Sequence, residues 1–284
     1  MSFYLSIVFT ICNWLPGALV YSMLLGRGKI LNWGPVGVAL VAAYATFLTL
    51  DRTGSYGLAM LIGVTCTVLI SLLYAWLALR LDGDAFGVMS IAVHLALLTV
   101  VLNWSSLTGG ALGVTNIARP AFAQSDWAYT VTAAVLCVLW MCVLYRIDRS
   151  WLGRALSALG EHEWHAGGIG VHRVFVLALS FSVFAVGMWL GALMWAPYLH
   201  LLYPTDYGFS TFIFLLMIVV AGRPGSFWGV TLSTIALVTL REAMRFLPLS
   251  SSVLGPVRLI LFGVILFIAV WLRRDTLFPK ARSV

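Results

Sequence analysis

His94, in Ile91-Ala92-Val93-His94-Leu95, is an imidazole inside an apolar stretch, where it could relay a proton, polarise a substrate or act as the base of an intramembrane serine hydrolase. A hydrolase also needs a serine presented to that ring from a strained or Gly-flanked turn. Ser55 and Ser226 each follow a glycine but fall in expected loops, and spacing alone brings neither to His94. A structural hydrogen bond to a neighbouring helix is the competing account of a lone histidine in such a setting. His162 and His165 with Glu161 and Glu163 have the composition of a metal site, yet they sit on a polar amphipathic segment whose solvated face explains them, so no metal ligand and no catalytic residue is assigned. Glu242, beside Arg241 and Arg245, reads as an ion pair near the end of an apolar run rather than as a proton carrier. Cys12, Cys66, Cys137 and Cys142 all lie in apolar runs without a CxxC pair, which makes them small core side chains.

A nucleotide site is missing as well. The chain has two lysines, Lys29 and Lys280, and Gly28-Lys29 is followed by Ile30 and preceded five residues earlier by Met23, so neither completes a phosphate-binding loop. The chain cannot hydrolyse ATP by that mechanism.

The elements that would position these residues are membrane helices. Of 284 residues, 62% are hydrophobic and only 10% are charged, too few to coat a water-soluble surface of that size. A soluble enzyme, a nucleic-acid module and a disordered regulator are excluded together. Uncharged runs long enough to cross about 30 Å of hydrocarbon predict nine spans, with a range of eight to ten. They are Phe3–Leu25, Ile30–Leu50, Tyr56–Leu79, Ala85–Asn103, Trp127–Tyr145, Val174–Pro197, Phe209–Ala221, Phe227–Leu247 and Val257–Leu272, the seventh being short enough to be broken or tilted. Fold class is thus all-α and polytopic, one transmembrane domain over residues 1–284.

Lys and Arg set the orientation, because they accumulate in short cytoplasmic loops. With the N-terminus outside and the C-terminus in the cytoplasm, twelve basic residues fall inside (Arg27, Lys29, Arg80, Arg146, Arg149, Arg154, Arg173, Arg223, Arg273, Arg274, Lys280 and Arg282). Five fall outside: Arg52, Arg119, Arg241, Arg245 and Arg258. The net charge of +7 is then mostly a topology signal and asks for no nucleic acid. No Lys or Arg precedes the first run and no convincing cleavage site follows it, so that run is expected to stay as a helix.

The cytoplasmic loop at about 146–173 carries Leu152, Ala155, Leu156 and Leu159 on one helical face, with Arg149, Arg154, Ser157 and Glu161 elsewhere, and Gly167, Gly168 and Gly170 after it. This is a short amphipathic helix, lying in the membrane interface with Trp151 and Trp164 as anchors or docking in the groove of a cytoplasmic partner. Two glycine-rich breaks, Thr108–Gly113 and Ala221–Ser226, are expected on opposite sides of the membrane, where they are either ordinary loops or markers of a substrate path.

Several of these segments occur in an order that resembles one family. Leu79-Arg80-Leu81-Asp82-Gly83-Asp84-Ala85, Leu107-Thr108-Gly109-Gly110-Ala111-Leu112-Gly113 and Gly153-Arg154-Ala155-Leu156 are followed by Glu161-His162-Glu163, Gly168-Ile169-Gly170-Val171, Gly191-Ala192-Leu193, Pro204 and the Gly222-to-Gly229 segment. The pattern is similar to LivM-type permease subunits of ATP-binding-cassette importers for branched-chain amino acids, a family that includes urea and short-amide permeases, and it covers roughly Gly26 to Leu272.

What the resemblance implies is a bacterial or archaeal plasma-membrane permease. Its partners would be a LivH-like second permease, two cytoplasmic ATPases (LivG-like and LivF-like) that hold ATP and Mg, an extracytoplasmic solute-binding protein and membrane lipid. Gly153, Arg154, Ala155, Leu156, Glu161, Glu163, Gly168 and Gly170 match the family's ATPase-coupling loop, which favours the docking reading of the amphipathic helix. Asn32, Ser90, His94, Thr108, Gly109 and Gly110 become candidates for the translocation path. The chain departs from the family at Gly28–Gly37, where a Ser and a His are missing, at Ala221–Ser226, and at His162, Trp164 and His165. These departures fit a divergent branch with another cargo, such as urea or an amide, and equally fit drift in a packing surface. The rival of another class is a stand-alone channel or an intramembrane enzyme using His94.

Overall fold

A computed structural model describes residues 3–244, 260, 261, 263–265, 267, 268 and 271. Among the described residues the helices up to Ala243 run in the order α1 (Phe3–Ser22), α2 (Pro35–Thr53), α3 (Tyr56–Arg80), α4 (Gly83–Asn103), α5 (Ser105–Thr108), α6 (Asp126–Arg149), α7 (Trp151–Glu161), α8 (Glu163–Gly168), α9 (Arg173–Leu199), α10 (Phe209–Gly222) and α11 (Phe227–Ala243). α1 widens into a π-helical turn at Met23–Arg27. Six of these are long and apolar enough to cross a membrane: Phe3–Arg27, α2, α3, α4, α6 and α9. α10 is apolar, but its 14 residues rise only about 21 Å, and 17 residues of α11 are described. Eight of the nine expected spans thus coincide with helices. Half of the ninth, Val257–Leu272, lies outside the described residues, the other half being helical, and Arg245, Arg258, Arg273, Arg274, Lys280 and Arg282 lie outside them altogether.

Helix starts follow local chemistry. Ser55, Ser125, Ser150 and Ser226 cap α3, α6, α7 and α11 by accepting backbone N–H groups of the first turn. α2 begins at Pro35, whose missing N–H costs nothing at the first helical position.

In hydrocarbon, helices gain little from burying apolar side chains against one another, so close packing and interhelical hydrogen bonds hold the bundle together. α1 and α9 cross where Gly187 faces the backbone of Pro16 and the side chain of Val20, while Gly17 lies against Met188; a Cβ on Gly187 would come within 2.6 Å of Val20. Ser71 donates to the Phe181 carbonyl between α3 and α9 at 2.6 Å. Trp189 donates to Thr46 between α9 and α2 at 3.1 Å. Apolar side chains on α3, α4 and α6, among them Leu61, Leu69, Val88, Val138 and Leu139, are exposed, the inverse of a soluble protein and the pattern of a lipid- or protein-facing surface.

At the end of the bundle away from α7, residues 104–125 fold over the helix tips. This excursion holds α5, 3-10 turns at Gly110–Leu112 and Ala121–Ala123, and strand β1 (Val114–Thr115). β1 pairs antiparallel with β2 (Leu201–Leu202), Val114 opposite Leu202 and Thr115 opposite Leu201. The all-α expectation therefore gains a two-residue strand pair. Arg119, expected as a topology charge, is instead buried in the cap. Its guanidinium donates to the carbonyls of Pro197, Tyr198 and Gln124 and to Asp126 at 2.8 Å, and it stacks over the Tyr129 ring. Five N–H donors in a rigid fork suit it to gather orphan carbonyls at the end of α9.

Candidate functional site

A cavity of about 130 Å³ opens among α1, α2, α9, α10, α11 and the 3-10 turn Pro204–Tyr207, in the half of the bundle nearer the cap. Its floor is apolar: Gly17, Val36, Ala39, Met188, Ala192 and Leu215. Glycines at 17 and 191 leave this space because no side chain fills it. The polar groups are fewer and come from separate elements. Asp206 accepts from the Trp195 indole at 2.9 Å through Oδ2, and its backbone carbonyl accepts from the Thr211 hydroxyl at 2.7 Å. Arg241 reaches the cavity from α11, its guanidinium over the Phe214 ring at 5.0 Å. The Asn13 Oδ1 and the Tyr207 hydroxyl are buried without a hydrogen-bond partner among the described residues. Buried polar atoms left unpaired by the protein are where a polar ligand or water gains most.

His94 stands behind this cavity rather than in its lining. The ring is fully buried, packs against Gly37, and its Nε2 lies 2.8 Å from the carbonyl of Tyr207. A carbonyl only accepts, so Nε2 carries the proton. His94 thereby ties α4 to the Pro204–Tyr207 turn that presents Asp206. The two serines weighed for a hydrolase are engaged elsewhere: Ser55 and Ser226 cap α3 and α11.

Asn32 and Ser90 are also fully buried, and they meet in a different place. Ser90 Oγ accepts the Trp33 N–H and Asn32 Oδ1 accepts the Gly34 N–H, each at 2.8 Å, while Tyr74 donates to the Ser90 carbonyl. Together they satisfy a non-helical stretch, residues 28–34, that passes Tyr74 about 9 Å below the end of α3. Gly34 is required there, since a Cβ would lie 2.5 Å from the Ser90 carbonyl. Broken backbone at depth is tolerated where side chains satisfy it or a cavity is lined. Residues 28–31 do line a second cavity, of about 300 Å³, with Asp82, Leu156, Glu163 and Arg173 at the α7 end.

Thr108, Gly109 and Gly110 belong to the cap. The Thr108 hydroxyl lies 2.6 Å from the Val101 carbonyl and accepts the Gly110 N–H, and Gly109, Gly110 and Gly113 all have positive φ. Gly113 presses on β2, where a Cβ would lie 2.1 Å from the Leu202 carbonyl. The second glycine-rich break lies at the other end of the bundle: Gly225 donates to Ser22, and Gly26 of the π turn packs directly on it. None of the six path candidates lines the 130 Å³ cavity. Asn13, Trp195, Asp206 and Arg241, which do, went unnoticed or unassigned in the sequence; the available signal was Asn13, an amide amid the apolar run Phe3–Leu25.

At the α7 end the expected amphipathic helix forms. Leu152, Ala155 and Leu156 are buried and Leu159 half-buried, whereas Arg154, Glu161, Glu163, Gly168 and Gly170 are exposed. The break comes earlier than Gly167, at His162, whose extended backbone starts α8 and lets Glu163 pair with Arg173 at 2.7 Å. Gly167 and Gly168 are helical, and the chain turns at Gly170 with φ +84°. Two glycines seat α7. A Cβ on Gly153 would lie 2.0 Å from the Asp148 carbonyl, and one on Gly160 2.4 Å from the Arg27 carbonyl. Arg27 and Asp148 themselves form a two-pronged ion pair at 3.0 and 2.7 Å. The ends of α1, α6 and α7 therefore meet at one joint, and α1 is the helix that carries Asn13, Trp14 and Gly17 to the cavity.

A family described as branched-chain amino acid transport system / permease component matches residues 3–270. The chain belongs to this family. Relatives of this permease-family chain include the high-affinity branched-chain amino acid transport system permease protein LivM of Escherichia coli (strain K12) and that of Salmonella typhimurium (strain LT2). Both are 26% identical over 92% of this chain. The chain spans 66% of the length of each. A putative glucose ABC transporter permease of Haloferax volcanii is 25% identical over 51% of the chain and 47% of its own length. Among solved structures, PsaBC from Streptococcus pneumoniae in complex with Fab has a TM-score of 0.51, covering 95% of this permease-family chain and 91% of that one at 15% identity, a likeness of fold alone.

Proposed function

We propose that the chain is the permease subunit of an ATP-driven importer carrying a small polar solute, a branched-chain or other amino acid, across a bacterial or archaeal plasma membrane. Nine spans, an outside N-terminus and a cytoplasmic C-terminus complete the reading. A LivH-like permease would form the other half of the pore, LivG-like and LivF-like ATPases would hold ATP and Mg, and a solute-binding protein would deliver cargo outside. The observation that carries this reading is the family match, whose span of residues 3–270 takes in both the cavity and α7.

In this scheme the solute is released over the cap, and closure of the ATPase pair pushes on α7. Gly153 and Gly160 hold α7 against the Asp148 and Arg27 backbones, so the push reaches the foot of α1 and shifts the helix that lines the cavity. α7 and α8 leave Trp151, Arg154 and Trp164 exposed for an ATPase to grip. A urea or short-amide cargo is the second reading, motivated by the departures at Gly28–Gly37.

Mass spectrometry of what co-purifies with the tagged chain in mild detergent tests the class. Recovery of two ATPases and a second permease is the expected result; a chain that emerges alone, or only with itself, would return the channel and His94 readings. Uptake of labelled leucine against labelled urea by the reconstituted complex then separates the two cargoes.

A further inference from the structure

Composition alone leaves His162 and His165 on a solvated polar face, but the bend between α7 and α8 gives their rings a more specific geometry. His162 sits at the break itself, with extended backbone at φ −151°, and His165 follows one turn later on α8. The two imidazoles face each other across that turn, their ring centroids 5.1 Å apart and their planes at 73°. Both side chains are exposed, and among the described residues neither ring nitrogen is taken by a hydrogen bond or an ion pair. Two imidazoles bound to one tetrahedral Zn²⁺, at Zn–N of about 2.0–2.1 Å, set their ring centroids roughly 5 Å apart. The pair already stands at that separation. Glu161 and Glu163 flank His162 and favour a dication beside it: Glu163 is matched by Arg173 at 2.7 Å, whereas Glu161 has no ion pair among the described residues. The other three histidines are placed differently. His94 is buried, His200 is bonded to the Ile117 carbonyl at the far end of the bundle, and His172 stands at the start of α9.

We infer that His162 and His165 form a two-histidine site for a divalent transition-metal ion, with Zn²⁺ as the ion that paired imidazoles suit and water in its remaining positions. Among the described residues no third His, Cys, Asp or Glu stands close enough to complete a cage, so the site is open and its occupancy reversible. An ion held there joins the residue at the break to the first turn of α8 and fixes the angle between α7 and α8. α8 is tied in turn to the start of α9 through Glu163 and Arg173. The site stands on its own geometry; its consequence for transport rests on the permease reading. In that reading α7 and α8 are the segment an ATPase grips, and a metal clamp across their bend is a brake on coupling.

Binding is measured by titrating Zn²⁺ into the full chain in nanodiscs by isothermal calorimetry, with a purification tag that contains no histidine. His162→Ala and His165→Ala should each weaken the zinc affinity at least tenfold, and His172→Ala should leave it unchanged. Both histidines of the pair are exposed, so neither substitution opens the core. Protection from carbethoxylation, read by peptide mass spectrometry, supplies a second measurement: Zn²⁺ should shield His162 and His165 together and leave His172 reactive. Wild-type zinc affinity in both variants of the pair, or a loss confined to His172→Ala, would overturn the site. In proteoliposomes of the assembled complex, Zn²⁺ on the α7 side should slow ATP-driven uptake several-fold, and the double variant His162→Ala/His165→Ala should resist it. Zinc bound at the pair with uptake unchanged would uphold the site and overturn the brake. Zinc bound at the pair in a complex that imports no solute would uphold the site and overturn the transport reading instead.

Discussion

Arg119 and His94 show how much a single side chain decides in a medium without water. Arg119 is buried with four acceptors around it, three of them backbone carbonyls that hydrocarbon cannot satisfy. Arg119→Ala should cost roughly 3 kcal/mol or more, since hydrogen bonds to a charged donor are the strong ones and their acceptors would be left buried. Thermal unfolding in detergent measures it, and Arg119→Lys should recover only part, because an ammonium cannot span the same carbonyls. An unchanged melting temperature in Arg119→Ala would mean the cap holds without its guanidinium. For His94 the expected result is graded: His94→Ala frees the Tyr207 carbonyl and loosens the turn bearing Asp206, so uptake should persist with a several-fold higher KM, and His94→Gln should lie between. Complete loss of turnover with normal solute binding would instead favour chemistry at the ring.

Among the elements, the joint of α1, α6 and α7 is where the proposed coupling can be tested. Binary patterning placed α7 and its buried face correctly, yet nothing in that pattern shows why Gly153 must be glycine. The reason is contact: the Asp148 carbonyl occupies the place of its Cβ. Gly153→Val should lift α7 from its seat, leaving the complex assembled but uncoupling ATP hydrolysis from uptake by tenfold or more. The Arg27–Asp148 pair is testable by exchange. Arg27→Asp and Asp148→Arg should each reduce coupled uptake by placing like charges together, and the double exchange should restore most of it. Failure of the double variant to recover would show that the pair does not transmit through its charge.

For the molecule as a whole, the exposed apolar surface of α3, α4 and α6 requires lipid or a second subunit, and the charge asymmetry of the loops supplies an expected orientation that labelling can test. Phe122 in the cap and Trp164 on α8 are both highly exposed and lie at opposite ends of the bundle. In a background without the native cysteines, Phe122→Cys should react with a membrane-impermeant thiol reagent in right-side-out vesicles, and Trp164→Cys only in inside-out ones. The reverse labelling would invert the topology and place α7 outside, which would sink the coupling role.

Composition, hydrophobic run length and charge asymmetry by themselves determined that this chain is a helical membrane protein, where eight of its helices run, and where a short amphipathic helix interrupts them, because each is a property of consecutive residues. The family was legible too, through short motifs in a fixed order. The cavity was not. Asn13, Trp195, Asp206 and Arg241 lie far apart in the chain and become neighbours only when α1, α9, α11 and the Pro204–Tyr207 turn pack together. Likewise Arg119 looked like a loop charge until folding supplied the carbonyls it satisfies, and the backbone partners of Ser90 and His94, at Trp33 and Tyr207, come from other segments of the chain. Local sequence dictates which segments enter the membrane; which polar atoms remain unpaired inside it is settled only by the crossing of helices distant in sequence.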